Sequence, residues 1–291
     1  MGGKDPFDKE KNTTRLGSTN LDTASFHEGV AGEADRVVKE KPTRERIAEL
    51  AGKEPVLQID GLVAGYGKME ILHGIDLQVG ARQSLCLIGP NGAGKSTVLH
   101  SIYGFTNIMG GTITVNGTDV TGLSPNEKLK HAGIAYTLQD NSVFPDMTVE
   151  ENLWMGGFLM DTTAHAKEAA ERVFEQYPQL AERRRQSVGV LSGGERRLLE
   201  IARALVMEPQ ILLVDEPSIG LEPRYIDMVF EVLDELEHKQ GKTILMVEQN
   251  AKKGLEFADI GYVLVSGEIA MAGKGNDLLQ DPEVGRLFLG G

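Results

Sequence analysis

Apolar and polar positions fall into two different periods along the chain. "VLQID" (Val56–Asp60) and "IDLQV" (Ile75–Val79) alternate apolar with polar side chains, as half-buried antiparallel strands do. "SLCLIG", from Ser84, is almost unbrokenly apolar, the pattern of a strand covered on both faces, and a Gly-rich turn and the helical stretch "STVLHSIY" follow it. "ILLVD" (Ile211–Asp215), "TILMV" (Thr243–Val247) and "GYVLV" (Gly261–Val265) repeat the buried pattern with helical stretches between them. Buried strands alternating with helices predict an α/β fold, a mainly parallel sheet flanked by helices. The two alternating strands add an antiparallel β subdomain. From about 140 to 190 the period is helical, with "TAHAKEAAERVFEQYP" stopped by Pro178, which predicts an α-helical subdomain inserted into the sheet domain. No internal repeat is visible.

Residues 1–54 differ from the rest. They are rich in Lys, Glu, Asp, Thr and Gly and show no strand alternation. Such a composition buries too little apolar surface to offset the entropy of ordering. The expectation is a disordered or loosely docked extension, with order beginning at Pro55; residues 33–50 carry at most a fraying amphipathic helix. Charges nearly cancel within 1–54, so almost all of the net −13 belongs to 55–291. That acidic balance argues against a nucleic-acid partner, which requires a basic stripe.

Composition narrows the class further. Hydrophobic residues make up 41% of the 291 residues and charged residues 25%, ordinary for a globular protein with a real core. The single cysteine, Cys86, excludes an internal disulfide and a cysteine-based zinc cage, and the six histidines show no metal-ligand spacing. No run approaches the ~20 apolar residues of a membrane span, and the N-terminal stretch has no apolar secretory core. The expectation is a cytoplasmic chain, with room left for a seat on a membrane protein.

Two motifs carry chemistry. "GPNGAGKST" places Gly89, Pro90, Asn91, Gly92, Ala93, Gly94, Lys95, Ser96 and Thr97 between a buried strand and a helix. Its glycines let backbone N–H groups converge on phosphates, and the N-terminus of the following helix adds partial positive charge there. Lys95 reaches the β- and γ-phosphates in this arrangement, Ser96 offers a hydroxyl to Mg²⁺, and Thr97 offers a further donor. This defines a P-loop NTPase core with ATP and Mg²⁺ as cofactors. "ILLVDEP" supplies the complement: Asp215 at the strand end to hold Mg²⁺ through water, and Glu216 beside it as candidate general base for the attacking water.

"LSGGERR" (Leu191–Arg197) opens a long helix between those two motifs. With it the chain, from about Pro55 to Gly291, resembles the ATP-binding-cassette ATPases. The resemblance implies that Ser192, Gly193, Gly194 and Glu195 complete the ATP site of a second ATPase subunit, in a head-to-tail sandwich of two chains. It implies that Tyr66 in "AGYG" stacks on adenine and that Gln139 in "AYTLQD" touches Mg²⁺ and the attacking water. It also implies that Val143, Phe144 and Pro145 form an apolar knuckle against a membrane permease subunit, although these residues also suit local core. Trp154 reads as a helix anchor nearby.

Three positions depart from the generic pattern. Glu195 stands where many members carry glutamine, Glu222 where an aspartate is usual, and Gln249 where a histidine senses the terminal phosphate. "VEQNAKKGLEFADIGYVLVSGEI", "AGYGKMEILHGIDL" and "LFLGG" are similar to the smaller ATPase subunit of branched-chain amino-acid importers, a subgroup that typically carries "VEQN". That subgroup often has glutamate where this chain has Gln139. The expected function is therefore ATP hydrolysis that energises such an importer, with permease subunits and, indirectly, a solute-binding protein as partners, at the inner face of the cell membrane. Urea importers, lipopolysaccharide exporters and soluble, non-transport cassettes are the alternatives. Gln249 is expected to share in catalysis by hydrogen-bonding a γ-phosphate oxygen.

Overall fold

The computed structural model describes residues 41–52, 54–139 and 142–289. The two alternating stretches become β1 (Pro55–Tyr66) and β2 (Met69–Gly80), an antiparallel hairpin that β4 (Asn107–Val115) and the short β5 (Thr118–Asp119) extend to the order β2-β1-β4-β5. The buried stretches become β3 (Ser84–Ile88), β7 (Ile211–Asp215), β8 (Thr243–Val247) and β9 (Ile260–Val265). Together with β6 (Ile134–Thr137) they form the parallel part of a six-stranded sheet, and β10 (Glu268–Lys274) closes one edge antiparallel to β9, in the order β10-β9-β3-β8-β7-β6.

Successive residues of the parallel strands enter two separate cores. Leu85, Leu87, Leu213, Leu245 and Val247 face the antiparallel sheet and the helix α2 (Lys95–Tyr103), which supplies Val98, Leu99 and Ile102. Cys86, Ile88, Leu212, Val214, Ile244 and Met246 face the other way, into a core shared with α4 (Val149–Gly156), α5 (Thr163–Gln176), α7 (Gly193–Leu205), α8 (Pro223–His238) and α9 (Ala251–Phe257). The inserted helical subdomain, which also includes α6 (Pro178–Ala181), therefore packs on one face of the sheet, and the antiparallel subdomain belongs to the other. Asp140, taken above as the edge of that subdomain, lies outside the described residues.

The boundary expected at Pro55 is too late. Helix α1 (Arg44–Ala51) precedes it, capped by Thr43 Oγ1, which accepts from the Arg46 backbone N–H at 3.2 Å. Ile47 and Leu50 are buried in the core beneath the antiparallel sheet, and Ala51 is buried as well. Arg44 donates twice to Asp76 of β2 (both 3.1 Å), and Gln83 Nε2 donates to Leu50 O at 3.2 Å. Composition averaged over 54 residues conceals a single helical stripe at spacings of three and four, which is enough to dock. Residues 1–40, the rest of the expected extension, lie outside the described residues. The sequence reading also passed over β4, β6, β10 and α3 (Pro125–Ala132), whose patterns are interrupted by Gly or are too short for a period to show.

Candidate nucleotide-binding site

The cradle grows directly from the parallel sheet. Where β3 ends, Gly89 adopts φ 153°, and a Cβ there would lie 2.1 Å from Leu264 O of β9, so only glycine lets the loop pass so close to the neighbouring strand. The Gly267 N–H donates to Ala93 O (2.9 Å) and the Ala93 N–H to Pro90 O (3.2 Å), which holds the turn in shape. Lys95 is buried, and its ammonium donates to Gly89 O (2.9 Å) and Pro90 O (3.2 Å). Burial lowers the Lys95 pKa, and the nearby charges of Glu216 and Asp215 partly restore it.

The remaining predicted groups meet at the C-terminal ends of β3, β6 and β7. Ser96 Oγ donates to Asp215 Oδ1 (3.1 Å), and Gln139 Nε2 donates to Glu216 Oε2 (2.8 Å). Both carboxylates are buried. Glu216 sits at φ 45°, a left-handed conformation uncommon for a non-glycine residue, and its N–H donates to Val247 O of β8 (2.9 Å). The adjacent strand thus aims its side chain away from the ladder and toward Gln139. Tyr66, at the end of β1, is 42% exposed; its hydroxyl bonds His100 Nδ1 on α2, and the two rings meet edge-on with centroids 6.1 Å apart. Burial lowers the His100 pKa, opposed by Asp215.

Ser192, Gly193, Gly194 and Glu195 form a second group, at the start of α7. Ser192 Oγ and N–H both donate to Glu195 Oε2 (2.9 Å each), and the Glu195 N–H returns to Ser192 Oγ (3.3 Å), a capping box of the kind glutamate or glutamine completes. Arg183 Nε pairs with Glu195 Oε1 at 2.8 Å. Burial pushes the Glu195 carboxyl up, but the Ser192 hydrogen bonds and Arg183 outweigh it and hold the pKa below its ordinary value. A Cβ on Gly194 would stand 2.1 Å from the Tyr225 ring of α8.

Three residues that the sequence reading left out organise the site. Arg197 of α7, 6% exposed, donates to Leu138 O (3.2 Å) and Gln139 O (3.0 Å), so the helix that begins at Ser192 grips the segment carrying Gln139. Glu248, 1% exposed, accepts from Ser218 Oγ (2.8 Å), the Ser218 N–H (3.3 Å) and the Asn250 N–H (2.8 Å), joining the loops after β7 and β8. Gln249, beside it, is exposed. Asn152, fully buried on α4, accepts from the Phe144 N–H (2.8 Å) and donates to Phe144 O (3.0 Å). A buried Arg, Glu or Asn in an apolar helix or strand end is the signal for such roles, since each requires partners.

The expected knuckle divides between core and surface. Val143 packs on the helical core, whereas Phe144 and Pro145 are exposed. Phe144 lines a groove of about 310 Å³ with Tyr103, Tyr136, Met155, Phe158 and Arg203, between the helical subdomain and the sheet. Trp154 is partly buried against the helical core, with Lys167 Nζ 4.3 Å from its ring centre. Among the described residues no helix is long and apolar enough to cross a membrane.

A phosphate cradle, two consecutive carboxylates at the end of one strand and a separate Ser-Gly-Gly helix start define a nucleotide-hydrolysing cassette. The profile of the ABC transporter family matches residues 72–219. The high-affinity branched-chain amino acid transport ATP-binding protein BraG of Pseudomonas aeruginosa is 41% identical over 81% of this chain and all of its own length. The probable branched-chain amino acid transport ATP-binding protein LivF of Archaeoglobus fulgidus is 37% identical over 79% of this chain and 96% of its own. A crystal structure of the ADP conformation of an ATP-binding cassette from an ABC transporter superposes with a TM-score of 0.73 at 29% identity, covering 82% of this chain and all of that one. The chain belongs to the ABC transporter family, as an ATP-binding, ATP-hydrolysing cassette.

Proposed function

We propose that this cassette energises a membrane importer of branched-chain or related amino acids. The relatives of that printed function are covered over 96–100% of their own length and match 79–81% of this chain. In this reading two cassettes face each other head to tail, each lending Ser192, Gly193, Gly194 and Glu195 to the nucleotide held by its partner's cradle. Tyr66 stacks on the adenine, a contact worth roughly 1–3 kcal/mol that tolerates any base.

The observation that carries the catalytic part is the pairing at the end of β7, with Ser96 bonded to Asp215 and Gln139 bonded to Glu216. Ser96 and Asp215 offer hard oxygen donors side by side, a set that suits Mg²⁺, which is usually held by one or two carboxylates together with nucleotide phosphates. Bound there, Mg²⁺ supplies neutralisation of the charge on the transferring phosphoryl group. Lys95 holds phosphate oxygens, and Thr97 and the Gly92–Gly94 backbone orient them. Glu216 takes the proton of the attacking water that Gln139 helps to orient, and Gln249 donates its amide to a terminal phosphate oxygen without a titratable charge.

The groove beside Phe144 is where a permease segment docks in this reading. Its apolar rim (Phe144, Met155 and Phe158) is exposed, and Asn152 pins the Phe144 backbone that presents it. The chain then sits on the inner face of the cell membrane. ATPase activity of the purified permease complex, measured with binding proteins loaded with leucine, urea or other solutes, tests the assignment. Stimulation by a leucine-loaded protein supports it, and stimulation by urea alone or co-purification with a soluble assembly overturns it.

A further inference from the structure

Tyr136 was singled out by neither motif nor resemblance, yet it touches three parts of the site. Its hydroxyl donates to Asp215 Oδ2 at 2.8 Å, on the carboxylate oxygen opposite the one that takes Ser96 Oγ. Its ring is packed edge-on or tilted against His100, Tyr103 and Phe105, with centroids 5.8, 5.5 and 6.0 Å away. The same ring lines the groove beside Phe144.

We propose that Tyr136 is a positioning residue that fixes the Asp215 carboxylate for the metal and joins the metal site to the groove. A carboxylate at a strand end swings about two side-chain torsions. Ser96 restrains one oxygen and Tyr136 the other, so the plane of the carboxylate is set before any ligand arrives. The hydroxyl carries the only proton of the pair and the carboxylate accepts it, so the direction of donation follows from the 2.8 Å contact. The ring holds its own place by aromatic packing, so the hydroxyl position follows the groove wall, and a segment pressed into the groove shifts the restraint on Asp215. Gln139 acts on Glu216; Tyr136 acts on Asp215, along a separate route.

The inference rests on the reading that Asp215 helps to hold Mg²⁺, and the test separates the two. Tyr136→Phe keeps the ring and removes the hydroxyl. Binding of a non-hydrolysable ATP analogue to the full chain is measured in EDTA, and Mn²⁺ is then titrated by electron paramagnetic resonance with the analogue present. The half-saturating Mn²⁺ concentration should rise roughly ten- to a hundredfold, the size expected for losing an outer-shell partner of a metal ligand, while metal-free nucleotide affinity stays within about twofold. An unchanged Mn²⁺ titration overturns the inference. So does an equal loss in both measurements, which marks a purely structural role. A wild-type protein that binds no nucleotide-dependent Mn²⁺ overturns the metal reading itself.

Discussion

Gln139 Nε2 donates to Glu216 Oε2 at 2.8 Å, joining the strand that leads into the helical subdomain to the residue that follows Asp215 at the end of β7. Two residues 77 positions apart in sequence thereby orient each other. Glu216→Gln keeps the size and the contact but removes the carboxylate proposed as the base. Turnover should fall by about 10²–10⁴-fold, as loss of a general base does, with ATP binding retained. Steady-state ATPase assays alongside equilibrium nucleotide binding measure both.

Gln249 is exposed and Glu248 beside it is buried, so the two neighbours should fail differently. Gln249→Ala should slow hydrolysis less than Glu216→Gln and leave thermal stability unchanged; equal losses from the two changes would refute the ranking of Glu216 as base. Glu248→Ala strands Ser218 and the Asn250 N–H, and should cost about 2–4 kcal/mol of stability, read from urea unfolding.

The Tyr225 ring covers Gly194 so closely that an added methyl must displace it. Gly194→Ala should destabilise by roughly 1–3 kcal/mol through overpacking and lower the ATPase activity of the assembled complex. Pairing it with Tyr225→Ala, which makes room, should recover part of the stability. No recovery in a double-mutant cycle would place the strain elsewhere.

Glu237, at the end of α8, predicts how stability depends on pH. Burial, then the hydrogen bond and charge of Asp259, push its carboxyl pKa up to about 8; Asp234 adds to this and Ser84 opposes it. His238 Nδ1 stands 3.7 Å from its carboxylate. Below the unfolded pKa of about 4.3 the group is protonated in both states and has no effect. Between there and about 8 the unfolded chain gives up the proton while the folded one keeps it, so stability falls as pH rises. Glu237→Gln should remove that slope and gain on the order of 1–2 kcal/mol over wild type by pH 8. Unfolding midpoints from pH 5 to 9 check it, and parallel curves for the two proteins would count against it.

Helix α1 gives a fourth stability test. Ile47→Ala removes a side chain that is 2% exposed and should cost about 2–4 kcal/mol, unlike a substitution in a loosely attached extension. Thermal unfolding of the full chain distinguishes the two.

Much of this site was readable in advance because its parts are local. The cradle is one loop between one strand and one helix, and Asp215 ends an unmistakable buried strand. Gln139 came from resemblance, since nothing in "AYTLQD" itself shows that its amide meets Glu216. Tyr136, Arg197 and Glu248 were missed for a shared reason: each acts through a partner at least 30 residues away, and no period or spacing records such a pairing; Asn152 reaches Phe144 eight residues back, but across a loop whose course the sequence does not show. Helix α1 was misjudged because three buried apolar side chains in a charged segment barely move its average. Its docking depends on Asp76 and Gln83, which lie beyond the segment.

The strict alternation of the parallel strands between two cores has a consequence for how damage spreads. Leu87 and Ile88 are chain neighbours, yet they pack into slabs that share no side chains, one beneath the antiparallel sheet that ends in Tyr66, the other beneath the helical subdomain and the helix that Ser192 caps. Substitutions in opposite slabs should add in free energy even when adjacent in sequence, and substitutions within one slab should interact over longer separations. The sheet is a partition between the side that carries Tyr66 and the side that carries Ser192, and each can vary in sequence with little regard for the other.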